Sequence, residues 1–340
     1  MNTTPTPEQV RGEIIAEVVR AGLVESVHSG HLIELDSSGA VVKSLGSVHI
    51  PVYPRSSVKS LQASAMVRAG LKLNPEQLAV VCASHSGSEE HFRVITSILG
   101  DHGLDESAFR NAVDYPLGEP ERRAWGDKEK SQLAQNCSGK HAGFLAHCVQ
   151  NHHSLTDYLS PQHPLHKSIK AVTAQFYEMK EDELSVGVDG CSAPIFGMPL
   201  YNQALAYKNL VAPMPWKDAA LDNACKRIVH AVTQYPELIA GTKRYCSDLM
   251  RVTQGRIVGK TGADGVYCLS IPEKKWGIAI KVDDGKMGPQ YQIAHGILCA
   301  LGLLLPHEIE ALKSHGHCEN INFAGNTVGY SDIVPLNCPL

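Results

Sequence analysis

The chain is predicted to be an α/β protein in which one antiparallel sheet is built from both chain ends, is flanked by helices and carries a mainly helical inserted domain. Three observations predict it: a short β-patterned pair of runs near the N-terminus, a long middle of helical periodicity, and three β-patterned runs in series after residue 255. The division that follows is a sheet domain from residues 1–55 and 236–340 and a mainly helical domain over 56–235. Residues 31–36 and 40–45 are short and apolar, separated by Ser37-Ser38-Gly39, and read as a hairpin. Residues 56–69 place Val58, Leu61, Ala65 and Ala69 at helical spacing after Pro54-Arg55, and Gly70 stops them, which predicts an amphipathic helix. The apolar run 78–83 ends at Ser84-His85-Ser86-Gly87, and Phe92, Ile95 and Leu99 then predict another helix. Further helices are expected over 143–149, 165–179 and 218–233. Strands are expected over 256–259, 266–271 and 276–282, punctuated by Ala263-Asp264-Gly265 and Asp283-Asp284-Gly285. A last helix over 291–304 rests on Ile293, Ile297, Leu298 and Leu301, and the tail beyond Ser314 reads as irregular.

Composition narrows the function. With 340 residues, 43% hydrophobic and 19% charged, the chain can bury a large core. A net charge of −4 without a basic block leaves no nucleic-acid or anionic-membrane footprint. The N-terminal run MNTTPTPEQV lacks a basic region followed by an apolar one, and the apolar stretch 296–305 is too short to span a bilayer. A soluble cytoplasmic protein acting on small molecules is expected. Ten cysteines without a Cys-x-x-Cys pair are read as reduced thiols. His163 and His166, and the group His315, His317 and Cys318, read as solvated loop residues.

Chemistry is carried by three constellations. Ser56-Ser57-Val58-Lys59 puts a hydroxyl and an amine three residues apart, hence on one helix face, the arrangement of an amine-activated serine. Chance alone supplies roughly one such spacing in a chain of this composition. Val258-Gly259-Lys260-Thr261-Gly262 adds a second lysine at a strand end, with Gly262 leaving room for a ligand to approach the backbone. Ser56, Lys59, Ser84 and Lys260 together supply a nucleophile, a base and groups that relay protons. In Asn136-Cys137-Ser138-Gly139-Lys140-His141 the pair Gly139-Lys140 fails the phosphate-loop test, which needs glycine at Ala134 and Ser or Thr at His141. Cys137 and Cys191 are either small buried hydrophobes or ligands of a thiophilic ion, with His141 or Lys140 completing the shell.

Taken in order, Pro54-Arg55-Ser56-Ser57-Val58-Lys59, Cys82-Ala83-Ser84-His85-Ser86, Asn136-Cys137-Ser138-Gly139-Lys140-His141, Asp189-Gly190-Cys191, Arg244-Tyr245-Cys246 and Val258-Gly259-Lys260 resemble the rhizobial-type L-asparaginases. The resemblance runs from about residue 15 to 300 and implies a fold like that of serine β-lactamases and glutaminases. It implies hydrolysis of L-asparagine to L-aspartate and ammonia, with Ser56 as nucleophile, Lys59 as its base and Ser84 with Lys260 as a second couple. It further implies a zinc ion held by Cys137, Lys140 and Cys191, supported by Asp189, and a homodimer. Arg55 and Arg244 are candidates for substrate binding. Competing readings are a glutaminase, a penicillin-recognising acyl hydrolase, against which the missing export signal argues, and a non-catalytic zinc-dependent amino-acid sensor.

Overall fold

A computed structural model describes residues 12–212 and 218–334. Residues 1–11, which open the expected sheet domain, and Cys338 lie outside the described residues. The main sheet is antiparallel and comes from both ends of the chain, as expected. Its N-terminal strands are β1 (Glu13–Arg20), β2 (Leu23–Leu35) and β3 (Val41–Leu45), followed by a short β4 (Pro51–Val52). A 3-10 turn over Arg55–Val58 leads into α1 (Lys59–Arg68), α2 (Pro75–Val81), α3 (Glu89–Asp101), α4 (Glu119–Trp125), α5 (Ser138–Gln150) and α6 (Pro164–Tyr177). Then come β5 (Ser185–Val188), β6 (Pro194–Pro199), α7 (Leu200–Val211), α8 (Ala219–Gln234) and α9 (Tyr245–Val252). The chain closes with β7 (Val258–Gly262), β8 (Val266–Ile271), β9 (Trp276–Val282), α10 (Pro289–Ala300), α11 (Pro306–Gly316), β10 (Cys318–Ile321) and β11 (Thr327–Ile333). The order across the sheet is β10-β11-β1-β2-β9-β8-β7, with β3 on β2. Register is fixed centrally by Leu32 opposite Ile280 and by Lys260 opposite Cys268.

Several expectations are corrected. The tail beyond Ser314 is not irregular: β10 and β11 extend the sheet on the outer edge of β1. Their alternation is diluted by Asn320, Asn322, Gly325 and Asn326, which turn the hairpin and mask the period. The helix after Ser56 is not amphipathic, because every residue from Lys59 to Val67 is buried, and only Arg68 at its end reaches solvent. It runs through the interior against α5, α6 and α8, so a polar face would have no water to meet. The apolar run 78–83 holds the buried end of α2, which begins at a capping box in which the Asn74 side chain accepts from Gln77 N and Gln77 reaches back. The middle also contains β5 and β6, which form a three-stranded sheet with β4 in the order β4-β6-β5. His163 and His166 are buried, not solvated: the His163 ring accepts from Leu165 N at the start of α6.

Two contacts place the helices where the chemistry needs them. Helix α7 lies on the main sheet against β8 and β9. Helix α5 begins hard against the end of α2, because position 139 is glycine and a Cβ there would stand 2.2 Å from Val80 O. Alanine would favour an isolated helix by about 1 kcal/mol, but a clash with a backbone oxygen cannot be relieved by a rotamer change and costs about 1–3 kcal/mol. Gly139→Ala is therefore expected to lower the urea midpoint of unfolding; a variant as stable as the parent would show that this helix start has slack.

Candidate active site

The elements that converge are the turn before α1, the segment after α2, the start of α5, the loop after β5 and strand β7. Ser56 sits in the turn, partly exposed, and its hydroxyl makes no hydrogen bond among the described residues. Its neighbour Ser57 is buried and braced: Ser57 Oγ donates to Pro54 O (2.6 Å) and accepts from Gln203 Nε2 (3.1 Å), while Tyr207 Oη donates to Ser57 O (2.7 Å). Gln203 and Tyr207 are absent from the sequence-based candidates. Their signal is the i,i+4 spacing that puts the two polar groups on one face of α7. Gly262 has a role other than the expected one. A Cβ there would stand 2.6 Å from Pro54 O and 3.2 Å from Arg55 Cβ, so the glycine admits the chain's own turn against β7.

Ser84 is the meeting point of both lysines. Its segment is pinned by Ser84 N donating to Ile239 O (2.9 Å), His85 N to Asn136 O (3.2 Å) and Ser86 N to Ala240 O (2.8 Å). Lys59 Nζ donates to Ala83 O (2.5 Å) and to Ser84 Oγ (3.2 Å). Lys260 Nζ stands 2.8 Å from the same oxygen and donates to Thr261 O (3.0 Å). Ser84, Lys59 and Lys260 are all buried. Burial, and then the charge of Lys59, pull Lys260 down to about 7, so its amine is largely neutral above neutral pH and can accept a proton from a hydroxyl. Arg244 lies one layer away, with Nη1 donating to Ser86 Oγ (3.4 Å), and Thr261 Oγ1 is 3.1 Å from Tyr291 Oη.

The third constellation also assembles. Lys140 Nζ donates to Cys191 Sγ (3.0 Å), and Cys137 hydrogen-bonds Cys191. Cys137, whose hydrogen bond to Cys191 and whose burial both favour the thiol, is pushed up to about 12. Cys191 is held well below the usual thiol range, first by that hydrogen bond and then, against burial, by Lys140. Burial alone would lower Lys140, but the thiolate and Asp189 raise it. Asp189 is itself held low, against burial, by Lys140 and by Arg55, whose Nε donates to Asp189 Oδ1 at 2.8 Å. Two sulfurs and one amine facing each other in a buried spot are a donor set that suits a thiophilic ion. Among the described residues no three His, Cys, Asp or Glu side chains form such a set, so Lys140 would have to be the third ligand. His141 is turned elsewhere, its Nδ1 3.0 Å from Tyr158 Oη. The nine described cysteines are all free. No helix of the described residues is long and apolar enough to cross a membrane.

Among solved structures the chain has a faint likeness to a β-lactamase from Mycobacterium bovis, at 12% identity, 80% of this chain, 94% of that one and a TM-score of 0.42. A candidate β-lactamase from Bacteroides dorei is similar at 12% identity, 75% and 87% coverage and a TM-score of 0.41. Likeness at that level carries no argument about chemistry. No curated protein sequence matches the chain significantly. The profile of the L-asparaginase II family matches residues 16–333, a span that holds both Ser/Lys couples and both cysteines. The chain belongs to the L-asparaginase II family, which makes it an asparaginase-like amide hydrolase.

Proposed function

We propose that this chain hydrolyses the side-chain amide of L-asparagine, giving L-aspartate and ammonia through an acyl-enzyme on Ser56. The observation that supports the reading is the single buried Ser84 hydroxyl reached by both lysine amines, Lys59 and Lys260, with Ser56 in the turn that leads into the helix of Lys59. Ser56 Oγ, free of internal partners, attacks the amide carbon while its proton passes to Lys59, made receptive by moving a proton through Ser84 to neutral Lys260. The tetrahedral intermediate collapses by breaking the C–N bond, and the departing nitrogen takes a proton from the same path and leaves as ammonia. Water then attacks the ester carbon, Ser56 regains its proton, and aspartate leaves. Backbone N–H groups near Ser56 steady the developing oxyanion. Arg55 and Arg244 hold the carboxylate of the amino acid. Zinc held by Cys137, Lys140 and Cys191, with Asp189 in support, supplies when bound a fixed electrostatic anchor beside this path, and every proton step above belongs to the chain's own residues. The working form is taken to be a cytoplasmic homodimer without nucleic-acid or membrane partners, and the division into sheet (1–55, 236–340) and helical (56–235) domains is kept as part of the same reading.

Ser56→Ala is expected to abolish ammonia release from asparagine while leaving circular dichroism and the melting temperature unchanged; full activity in that variant removes Ser56 as nucleophile. Glutamine and a β-lactam assayed in parallel separate asparaginase from its glutaminase and penicillin-recognising alternatives, and tight asparagine binding without turnover identifies a sensor.

The depressed Lys260 fixes two signs. Its amine must be neutral to receive the proton, so kcat/KM is expected to fall on the acid side with an apparent pKa near 7; a flat profile from pH 6 to 9 contradicts the path. For stability, the folded chain resists protonation from the ordinary lysine value near 10.5 down to about 7, while the unfolded chain does not. That term is absent above pH 10.5, grows as pH falls through this window and levels off below about 7. Lys260→Met is therefore expected to gain melting temperature relative to the parent at pH 7 but much less at pH 10.

Exhaustive chelation is expected to raise KM for asparagine more than it lowers kcat. Unchanged affinity and rate after proven metal removal would end the supporting role assigned to zinc.

A further inference from the structure

Arg55 immediately precedes the proposed nucleophile, and its backbone lies in the left-handed region at φ 50°, unfavourable for a residue with a side chain. That conformation sends the guanidinium to two carboxylates of different character. Nε donates to Asp189 Oδ1 at 2.8 Å, and the Asp189 side chain is only 10% exposed. Nη1 donates to Asp264 Oδ2, and that side chain is 62% exposed. Asp264 lies in the turn between β7 and β8 and is also left-handed (φ 56°); Lys281 Nζ donates to its backbone oxygen (2.8 Å), and its carboxylate makes no further hydrogen bond among the described residues. Nη2 of Arg55 makes no hydrogen bond among the described residues, and a Cβ added at Gly190 would stand 3.8 Å from it. The inner carboxylate thus fixes the guanidinium, and the outer one covers half of the face it presents.

A carboxylate bound to a guanidinium is held best by two parallel N–H donors. On Arg55 the remaining pair is Nη1 and Nη2, and Nη1 already gives one of its two N–H groups to Asp264, whose negative charge therefore stands beside that face. We propose that Asp264 is a built-in competitor for the substrate carboxylate: it occupies Nη1 of Arg55 and must swing out before an amino-acid carboxylate can take the Nη1/Nη2 face. Asp264 then sets affinity without entering the chemistry, because the observed affinity is the intrinsic one reduced by the fraction of molecules in which Nη1 is free. The same competition favours a ligand that brings its own carboxylate over a neutral amide, which cannot match the charge of Asp264. This inference rests on the amide-hydrolase reading only through Arg55 as the carboxylate anchor.

The test uses Asp264→Asn, which keeps the shape and removes the charge, and Asp264→Ala, which removes both. KM for asparagine, from ammonia release, is expected to fall roughly two- to fivefold with kcat unchanged, the range by which one exposed ion pair shifts an equilibrium. Calorimetric titration with succinate, a carboxylate ligand that cannot turn over, is expected to show the dissociation constant falling by the same factor. Unchanged or weaker values for both ligands overturn the proposal and leave Asp264 an ordinary surface partner or an aid to orienting Arg55. If the parent protein releases no ammonia from asparagine, the functional reading fails, and the succinate titration still decides whether Asp264 competes.

Discussion

One buried hydroxyl has to satisfy two lysine amines, and most of the site can be understood as the consequence. Lys59 Nζ and Lys260 Nζ are 3.2 and 2.8 Å from Ser84 Oγ, so they are no more than about 6 Å from each other. Two ammonium groups at that separation repel by roughly 3 kcal/mol at an effective dielectric near 20, and burial opposes a second charge further. The two penalties act in the same direction on Lys260 and explain why it, and not an isolated lysine, titrates near neutrality. A hydroxyl between one charged and one neutral amine can receive a proton on one side while giving one on the other. A single well-separated lysine would stay charged and could do neither.

Holding this arrangement requires elements far apart in sequence to meet without slack. Ser84 hangs from the end of α2 and is fixed by its N–H on the carbonyl of Ile239 and by that of Ser86 on the carbonyl of Ala240, Lys59 lies on a helix buried on all sides, and Lys260 comes from the edge strand β7 of the main sheet. Gly139 and Gly262 permit two close approaches, one helix start against a helix end and one strand against the turn bearing Ser56. The turn is braced from below by Gln203 and Tyr207 of α7, the helix that itself rests on the main sheet. The turn that carries Ser56, the proposed nucleophile, is thereby tied to the sheet by two hydrogen-bonded side chains as well as by the chain path.

Much of this was legible in the sequence. Strands β8 and β9 coincide with the apolar runs between turn residues, since Ala263-Asp264-Gly265 and Asp283-Asp284-Gly285 punctuate them with chemistry specific to turns. The α/β sheet drawn from both chain ends was legible for the same reason. Strands β1, β10 and β11 were not, because they lie toward a sheet edge with one face open, and their apolar residues alternate with Glu, Ser, Gly and Asp in too loose a period. The Ser56-x-x-Lys59 spacing suggested a pair on one helical turn, but it could not reveal that Ser56 lies in a 3-10 turn before the helix and that Lys59 Nζ reaches to Ala83 O and Ser84 Oγ; that contact depends on a tertiary approach across 25 residues. Nor could any local pattern show that Arg55 bridges Asp189 and Asp264, since both partners are more than a hundred residues away.

The cysteine cluster bears on the same electrostatic problem. As the chain stands, an ammonium on Lys140, a thiolate on Cys191 and a thiol on Cys137 sum to no net charge. In the proposed metal-bound form, a divalent ion with two thiolates and a neutral amine again sums to zero, the protons of Cys137 and Lys140 having been released. Loading would therefore leave the field at Lys59 and Lys260 nearly unchanged while exchanging hydrogen bonds for stiffer bonds. An ion placed there suits a part in holding Asp189, and through it Arg55, and is poorly suited to retuning the lysine pair. In the proposed reading the two jobs fall to different contacts: Asp189 and Arg55 lead from the cluster toward the proposed carboxylate anchor, and Ser84 joins the two lysines of the proposed proton path. Such a separation lets affinity and proton transfer be adjusted by different residues, which a site with a single charged centre could not allow.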